Sequence, residues 1–262
     1  MGFAVFTGGG GYVGWRLLSR TADQQKAVLA AQPQIARDTG YFHDNIARVG
    51  TAEDLIRDYR LLSVALKSHG LEDDIGNRAF IRKILESDLS DPKSLANRLS
   101  DQRYVDLARS FGFGGEDPAK TTDPEFAGRI AADYIQAEFE LRVGESDNDL
   151  RIALNASREL ATIGQSESSE DSKWFQILGS PPLAKFVQEA LGLGSNLSKL
   201  PIDSQLVALK SAAKRHLGAG TVADLANPAR MERAIGIFLA RSQINAFELG
   251  TDRFSTALAL LR

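Results

Sequence analysis

Apolar positions recur at helical spacing along most of the chain, and the clearest block runs from Thr51 to Phe113. Leu55, Tyr59, Leu62 and Leu66 fall three or four residues apart, and Leu61, Val64 and Ala65 widen that stripe to the breadth of a core-facing helix face. Asp58 and Arg60 lie outside it. Thr51 with Asp54 three residues on reads as a capping box at the start. Gly70 is the stop, because glycine enters the left-handed region at little steric cost. A second helix is expected through Ile75, Ala79, Phe80, Ile84 and Leu85. A third opens at Asp91-Pro92 and buries Leu95 and Leu99, since proline at the first helical position gives up an N–H that has no partner. A fourth begins near Asp101, aligns Tyr104, Leu107, Ala108 and Phe111, and stops at Gly112.

The same grammar covers the rest. Helices are expected from about Ala22 to Gln32, ended by Pro33, and from Gln34 to Val49, with Ile35, Phe42, Ile46 and Val49 as the apolar face. A long helix starts at Asp123-Pro124, carries Phe126, Ile130, Tyr134, Phe139, Leu141 and Val143, and closes at Gly144. Asp147 or Asn148 caps the next, through Leu150, Ile152, Leu154, Leu160 and Ile163. Trp174 to Leu178 form a buried turn, Pro181-Pro182 starts a helix, Asp203 caps another, and Asn227-Pro228 opens the last. The fold class is therefore all-α, a bundle of roughly ten to twelve helices joined by short connections that make neighbours pack. The division expected is a Gly-rich flexible leader (1–20), a helical domain (21–163), a polar loop GQSESSEDS (164–172) and a second helical domain (173–262). SVALKSHGLEDDI and VQEALGLGSNL echo each other, each followed by a proline-initiated helix, which fits either a duplicated unit or the repeated use of the same caps.

Composition narrows the function. The chain has 262 residues, 43% of them hydrophobic and 25% charged, values of an ordinary globular protein. A net charge of −3 leaves no electrostatic footprint for nucleic acid, and Ala213-Lys-Arg-His216 is too short a basic patch to supply one. The absence of cysteine excludes disulfides and thiolate metal sites. No apolar run is long enough to span a membrane, so no membrane insertion is expected. The opening MGFAVFTGGGGYVGW lacks the charged start and apolar core of a signal peptide, and the chain is expected either in the cytoplasm or exported by a route without a cleaved signal.

One motif is sharp. Phe3 to Phe6 resemble a strand, and Thr7, Gly8, Gly11 and Gly14 match the TGxxGxxG loop of a dinucleotide fold, similar to the extended short-chain dehydrogenases. Such glycines let backbone amides approach a pyrophosphate at a helix N-terminus. The context departs from that family. No acid-terminated second strand follows, no strand–helix alternation appears, and no tyrosine has a lysine four residues on. No cofactor, metal or catalytic residue is assigned, with a nucleotide-binding oxidoreductase kept as the alternative. His43 beside Asp44 is expected to be a surface or partly buried histidine and not a catalytic one. Glu138 and Glu140, two apart on one helix, point to different sides and are expected to be solvated.

The last helix carries the most regular pattern: Ile237, Ala240, Ile244, Phe247, Thr251, Phe254, Leu258 and Leu261 hold a strict a/d register. It serves either as packing within its own domain or as a docking face, with Ile244, Phe247, Phe254, Leu258 and Leu261 as the candidate partner-binding residues.

The segments GGYVGWRLLSRT, RDTGYF, LIRDYRLLSVALKSHGLEDDIGNRAFIRKILESD, DPKSLANRLSDQRYVDLARSFGFG and WFQILGSPPLAKFVQEALGL resemble a family of uncharacterised alphaproteobacterial proteins often encoded in flagellar gene clusters. Where members of that family carry Phe before Gly-Leu, this chain has His69. The ending FSTALALLR is similar to the C-terminus of flagellins. The resemblance implies a non-enzymatic structural or interaction protein of the flagellum, with a flagellar protein partner and the option of a homo-oligomer.

Overall fold

A computed structural model describes the backbone of residues 4–99, 101–115 and 118–260, and the side chains of these residues except 195 and 246–260. Every regular element among them is helical, so the all-α expectation holds. In chain order they are α1 (Gly11–Ala30), α2 (Pro33–Asn45), α3 (Ala52–Arg57), α4 (Tyr59–Ser68), α5 (Arg78–Leu85), α6 (Leu95–Arg98), α7 (Gln102–Phe111) and α8 (Phe126–Ser146). They continue with α9 (Asn148–Gln165), α10 (Glu170–Gly179), α11 (Pro181–Leu191), α12 (Ile202–Leu217), α13 (Val222–Leu225) and α14 (Pro228–Leu260). Short 3-10 turns fill several connections.

The helices gather into two compact units, one holding Thr21–Arg142 and the chain up to Val5, the other Phe6–Arg20 and Val143–Arg262. Two helices are therefore shared in sequence: α1 gives its first half to the second unit, and α8 gives its last residues to it. The polar stretch 164–172 falls inside the second unit, where Ser169 caps α10 by accepting from the Ser172 N–H. The Gly-rich start is an ordered part of the second unit, since Trp15 and Leu18 are buried and α1 begins at Gly11.

In the first unit the core centres on Phe111 and Phe126, whose rings meet edge-on at 5.1 Å, with Phe42 stacked on Phe126 at 6.4 Å. Leu55, Leu62, Leu66, Ile81 and Ile84 are buried in the same unit. The capping box forms: the Thr51 hydroxyl accepts from the Asp54 N–H, and the Asp54 carboxylate accepts from the Thr51 N–H. The helix expected from Thr51 to Gly70 is nevertheless two. Asp58 adopts an extended backbone between α3 and α4, and its Oδ1 accepts from the N–H groups of Arg60 and Leu61. Its Oδ2 accepts from Tyr41 Oη at 2.7 Å, a partner on α2 that fixes the break. Tyr59, expected inside, is 57% exposed as a result.

Gly70 (φ +67) ends α4 in a Schellman arrangement, with the Leu71 N–H reaching Leu66 O and Leu71 buried behind it. The helix expected after Asp91-Pro92 is the single turn α6, which buries Ala96 while Leu95 and Leu99 stay half-buried and Ala79 on α5 lies outside. Pro33 opens α2 at its first position. Gly144 does not stop α8; the Arg151 side chain lies against it, and the helix runs on to Ser146. Asp203 is not a cap, because α12 already starts at Ile202 after Pro201.

Candidate interaction surface

Helix α14 carries two apolar lines. Met231, Ala234, Ile235, Phe238 and Leu239 are buried against α9, α11, α12 and α13 of the same unit. The Phe238 ring packs on Phe186 of α11 at 5.1 Å. Arg241 Nη1 donates to the Glu189 carbonyl at 2.8 Å, and the Ser242 hydroxyl donates to Asp149 Oδ2. Asp149 also holds Lys185 Nζ at 3.2 Å. These anchors fix which side of α14 faces the core.

The a/d register read from the sequence lies on the other side. At about 100° per residue, the line through Ile237, Ala240 and Ile244 is turned roughly 180° from the buried one. Ile237 is half-buried, Ala240 is exposed and Ile244 is 57% exposed. At Ala240 and Ile244 the register therefore turns away from the core of its own unit. Phe247, Phe254 and Leu258 follow on the same helical backbone, with side chains outside the described residues, and Leu261 lies outside them altogether.

The Gly-rich start borders this outer line. Gly8, Gly9, Gly10 and Gly11 all take positive φ (+61, +97, +83 and +59), a path only glycine follows at low cost, and it delivers the chain into α1. Three side chains on the first turns of α1 then converge on one carboxylate of α14. Tyr12 Oη donates to Glu232 Oε1 at 2.9 Å, Trp15 Nε1 to Oε2 at 2.9 Å, and Arg16 Nη1 to Oε1 at 3.3 Å. Burial by itself pushes the Glu232 carboxyl up, and the donors from Trp15, Tyr12 and Arg16 outweigh it, holding the group below the usual glutamate range. The Tyr12 ring lies beside Gly236, and Gly11 beside the Gln243 side chain. Val13 (75%), Phe6 (66%) and Tyr12 (42%) stay exposed on this start.

The same loop departs in two respects from the start of a dinucleotide fold. No strand precedes it among the described residues, and Gly10 closes a turn onto Thr7 O instead. A Cβ on Gly10 would meet Asp147 Oδ2 at 2.5 Å, so a carboxylate stands against the loop where a phosphate would be repelled. Asp147 is the cap of α9, as expected, with its Oδ1 taking the Asp149 and Leu150 N–H groups. Gly14 is required because a Cβ there would lie 2.6 Å from the Thr7 carbonyl.

Other candidate chemistry disperses. Glu138 and Glu140 are both buried (7% and 8%), against the expectation of solvated charges, yet they serve different partners. Glu138 takes Lys67 Nζ at 2.6 Å and lies 3.7 Å from Arg142, whereas Glu140 accepts from Gln136. His43 is at the surface, 3.6 Å from Asp44. His69, noted in the sequence only as a departure from the resembling family, points its Nδ1–H at Ala65 O (2.9 Å) while Nε2 accepts from the Ser110 hydroxyl (3.0 Å). Burial pushes its imidazole below the ordinary value; the Ala65 carbonyl, Asp133 and Asp106 pull the other way, and Arg129 adds to the depression. Among the described residues no group of three His, Asp or Glu is arranged to hold a metal, and no helix is long and apolar enough to cross a membrane.

Comparison with known proteins places the fold. A family model described as a protein of unknown function (DUF1217) matches residues 68–231. A protein from Agrobacterium tumefaciens, solved by X-ray crystallography in a structural genomics effort, is similar over 94% of this chain and 97% of its own, at 27% identity and a TM-score of 0.76. No curated protein matches.

Proposed function

The chain belongs to the DUF1217 family of proteins of unknown function, and we propose that it is a non-enzymatic structural or interaction protein that works through the outer line of α14. The observation that carries this is the opposition of the two lines on one helix. The core is satisfied by Met231, Ala234, Ile235, Phe238 and Leu239, while Ala240 and Ile244 continue an apolar register on the solvent side. A helix that needed only to close its own core would carry polar residues there. Tyr12, whose ring lies beside Gly236 of the same helix, adds exposed surface next to it.

The resemblance to a family encoded in flagellar gene clusters, and of the chain's ending to that of flagellins, supports a flagellar protein as the partner. The test is deletion of residues 245–262, and separately Ile244→Asp, in motile cells. Loss of swimming, with loss of flagellar proteins from an affinity capture, is the expected result. Unchanged swimming together with unchanged capture overturns the reading. The alternative, a nucleotide-binding oxidoreductase using the Gly8–Gly14 loop, would require saturable NAD or NADP binding that Gly11→Ala abolishes.

A further inference from the structure

We infer that Ser110 is a site of covalent acylation, its hydroxyl taking the acyl group of an activated ester or thioester with His69 as the base. Ser110 stands in the last turn of α7 and His69 directly after α4, and both are half-buried, within reach of a small reagent. The Ser110 hydroxyl donates to His69 Nε2 at 3.0 Å. On the other side of the ring Nδ1 lies 2.9 Å from Ala65 O. A carbonyl can only accept, so the proton sits on Nδ1 and the lone pair on Nε2. The Ser68 hydroxyl, 3.0 Å from Nδ1, is itself turned to Ala65 O. Nucleophile, base and the group that orients the base therefore follow one another within hydrogen-bond reach.

In the step, Ser110 Oγ forms a bond to the acyl carbon as its proton passes to His69 Nε2. The bond from that carbon to the leaving oxygen or sulfur breaks, and the departing alcohol or thiol takes up the proton. The surroundings select an uncharged carbonyl. Asp106 of α7 and Asp133 of α8 act on the ring and would repel a phosphoryl donor. Arg109 is held by Asp106 at 2.6 Å, Arg103 by Asp101 at 2.8 Å, and Lys120 Nζ donates to Arg109 O, while Arg129 of α8 acts on the ring directly. The backbone N–H groups that could hold an oxyanion are spent. Those of Ser110 and Phe111 lie inside α7, and that of Gly112 is bonded to Ala108 O at 2.9 Å. The acylation is therefore a single event on the chain and not turnover, and it is independent of the docking face on α14.

The chain has no cysteine, so p-nitrophenyl acetate can be used on the full chain without a thiol background. Peptide mapping by mass spectrometry is expected to place an acetyl group on Ser110 ahead of any lysine, and Ser110→Ala should abolish the matching burst of p-nitrophenolate. His69→Gln and His69→Phe should each slow the burst about a hundredfold or more, the share of a general base, with circular dichroism showing both variants folded. The wild-type chain supplies a check that needs no variant. Burial favours the neutral ring, so its rate should be level above about pH 6.5, the ordinary imidazole value, whereas attack driven by hydroxide alone climbs about tenfold per pH unit. Ser110 left unmodified, a rate that His69→Gln does not change, or a rate still climbing about tenfold between pH 7 and 8 overturns the inference. So does a burst that persists in Ser110→Ala, which would make His69 itself the acyl acceptor.

Discussion

Trp15 donates its indole N–H to Glu232 Oε2 at 2.9 Å, across 217 residues of sequence, and so fastens the start of α1 to α14. Tyr12 and Arg16 share the same carboxylate. Glu232→Ala leaves the buried Trp15 N–H unpaired and should cost about 1–2 kcal/mol, because hydrogen bonds to a charged group contribute more than neutral ones. The folded carboxyl titrates below its unfolded value, so this stabilisation is present above the ordinary glutamate pKa and is lost as pH falls through the folded one. Urea titrations at neutral and at acidic pH should find wild type and Glu232→Ala converging in acid. Divergence in acid would contradict the assignment.

His69 has the opposite chemistry and the same direction of response. Its folded pKa lies below that of the unfolded chain, so the native state favours the neutral ring. Stability should be full above about pH 6.5, the ordinary imidazole value, and should fall as pH drops through the lowered folded value. His69→Gln should melt with a flatter dependence between pH 7 and 5 than wild type, measured by circular dichroism. Equal slopes would show that Asp106 and Asp133 cancel the effect of burial.

The two lines of α14 should respond differently to substitution. Phe238→Ala removes a ring packed on Phe186 and should destabilise by about 3–5 kcal/mol. Ile244→Asp, at an exposed position, should change stability by about 0.5 kcal/mol or less while weakening association. Denaturant unfolding of both variants checks the contrast. A large loss of stability for Ile244→Asp would place that residue in the core.

Gly14→Ala should cost about 1–3 kcal/mol, since the new methyl group would sit 2.6 Å from the Thr7 carbonyl. Gly40→Ala, a helical position with open space around it, should instead be neutral or stabilising by up to about 1 kcal/mol. Thermal melting separates the two. Saturable NAD or NADP binding by the wild-type chain would reassign the loop to a ligand.

Asp58 stands at the break between α3 and α4 and serves both as a cap and as the acceptor of the Tyr41 hydroxyl. Asp58→Ala should cost about 1–2 kcal/mol, the upper range for a cap, because a second bond goes with it. Tyr41→Phe should recover only part of that cost when combined with Asp58→Ala, and a double-mutant cycle measures the share.

What the residues disclosed in advance was what short-range chemistry decides. The Thr51–Asp54 box, the cap at Asp147 and the left-handed stops at Gly70 and Gly112 each depend on side chains or backbone within a few positions. A second box of the same kind, Thr221 with Asp224, is equally local. The break at Asp58 was hidden because Tyr41 on another helix holds it. The burial of Glu138 was hidden because its counter-ion, Lys67, lies 71 residues away. On α14 both lines satisfy helical spacing, and only the placement of Phe186, Glu189 and Asp149 decides which one turns inward. The convergence of Tyr12, Trp15 and Arg16 on Glu232 had no local signal beyond their helical spacing.

Because the inward and outward lines of α14 are cut from one continuous rod, gene-length changes in this helix are quantised. Inserting one codon after Ser242 would swing everything downstream by about 100° and scatter the outward line, while leaving the inward one whole. Inserting seven would return it to within about 20° of its starting azimuth. Relatives that keep the assembly while differing in the reach of this rod should therefore differ by multiples of a heptad.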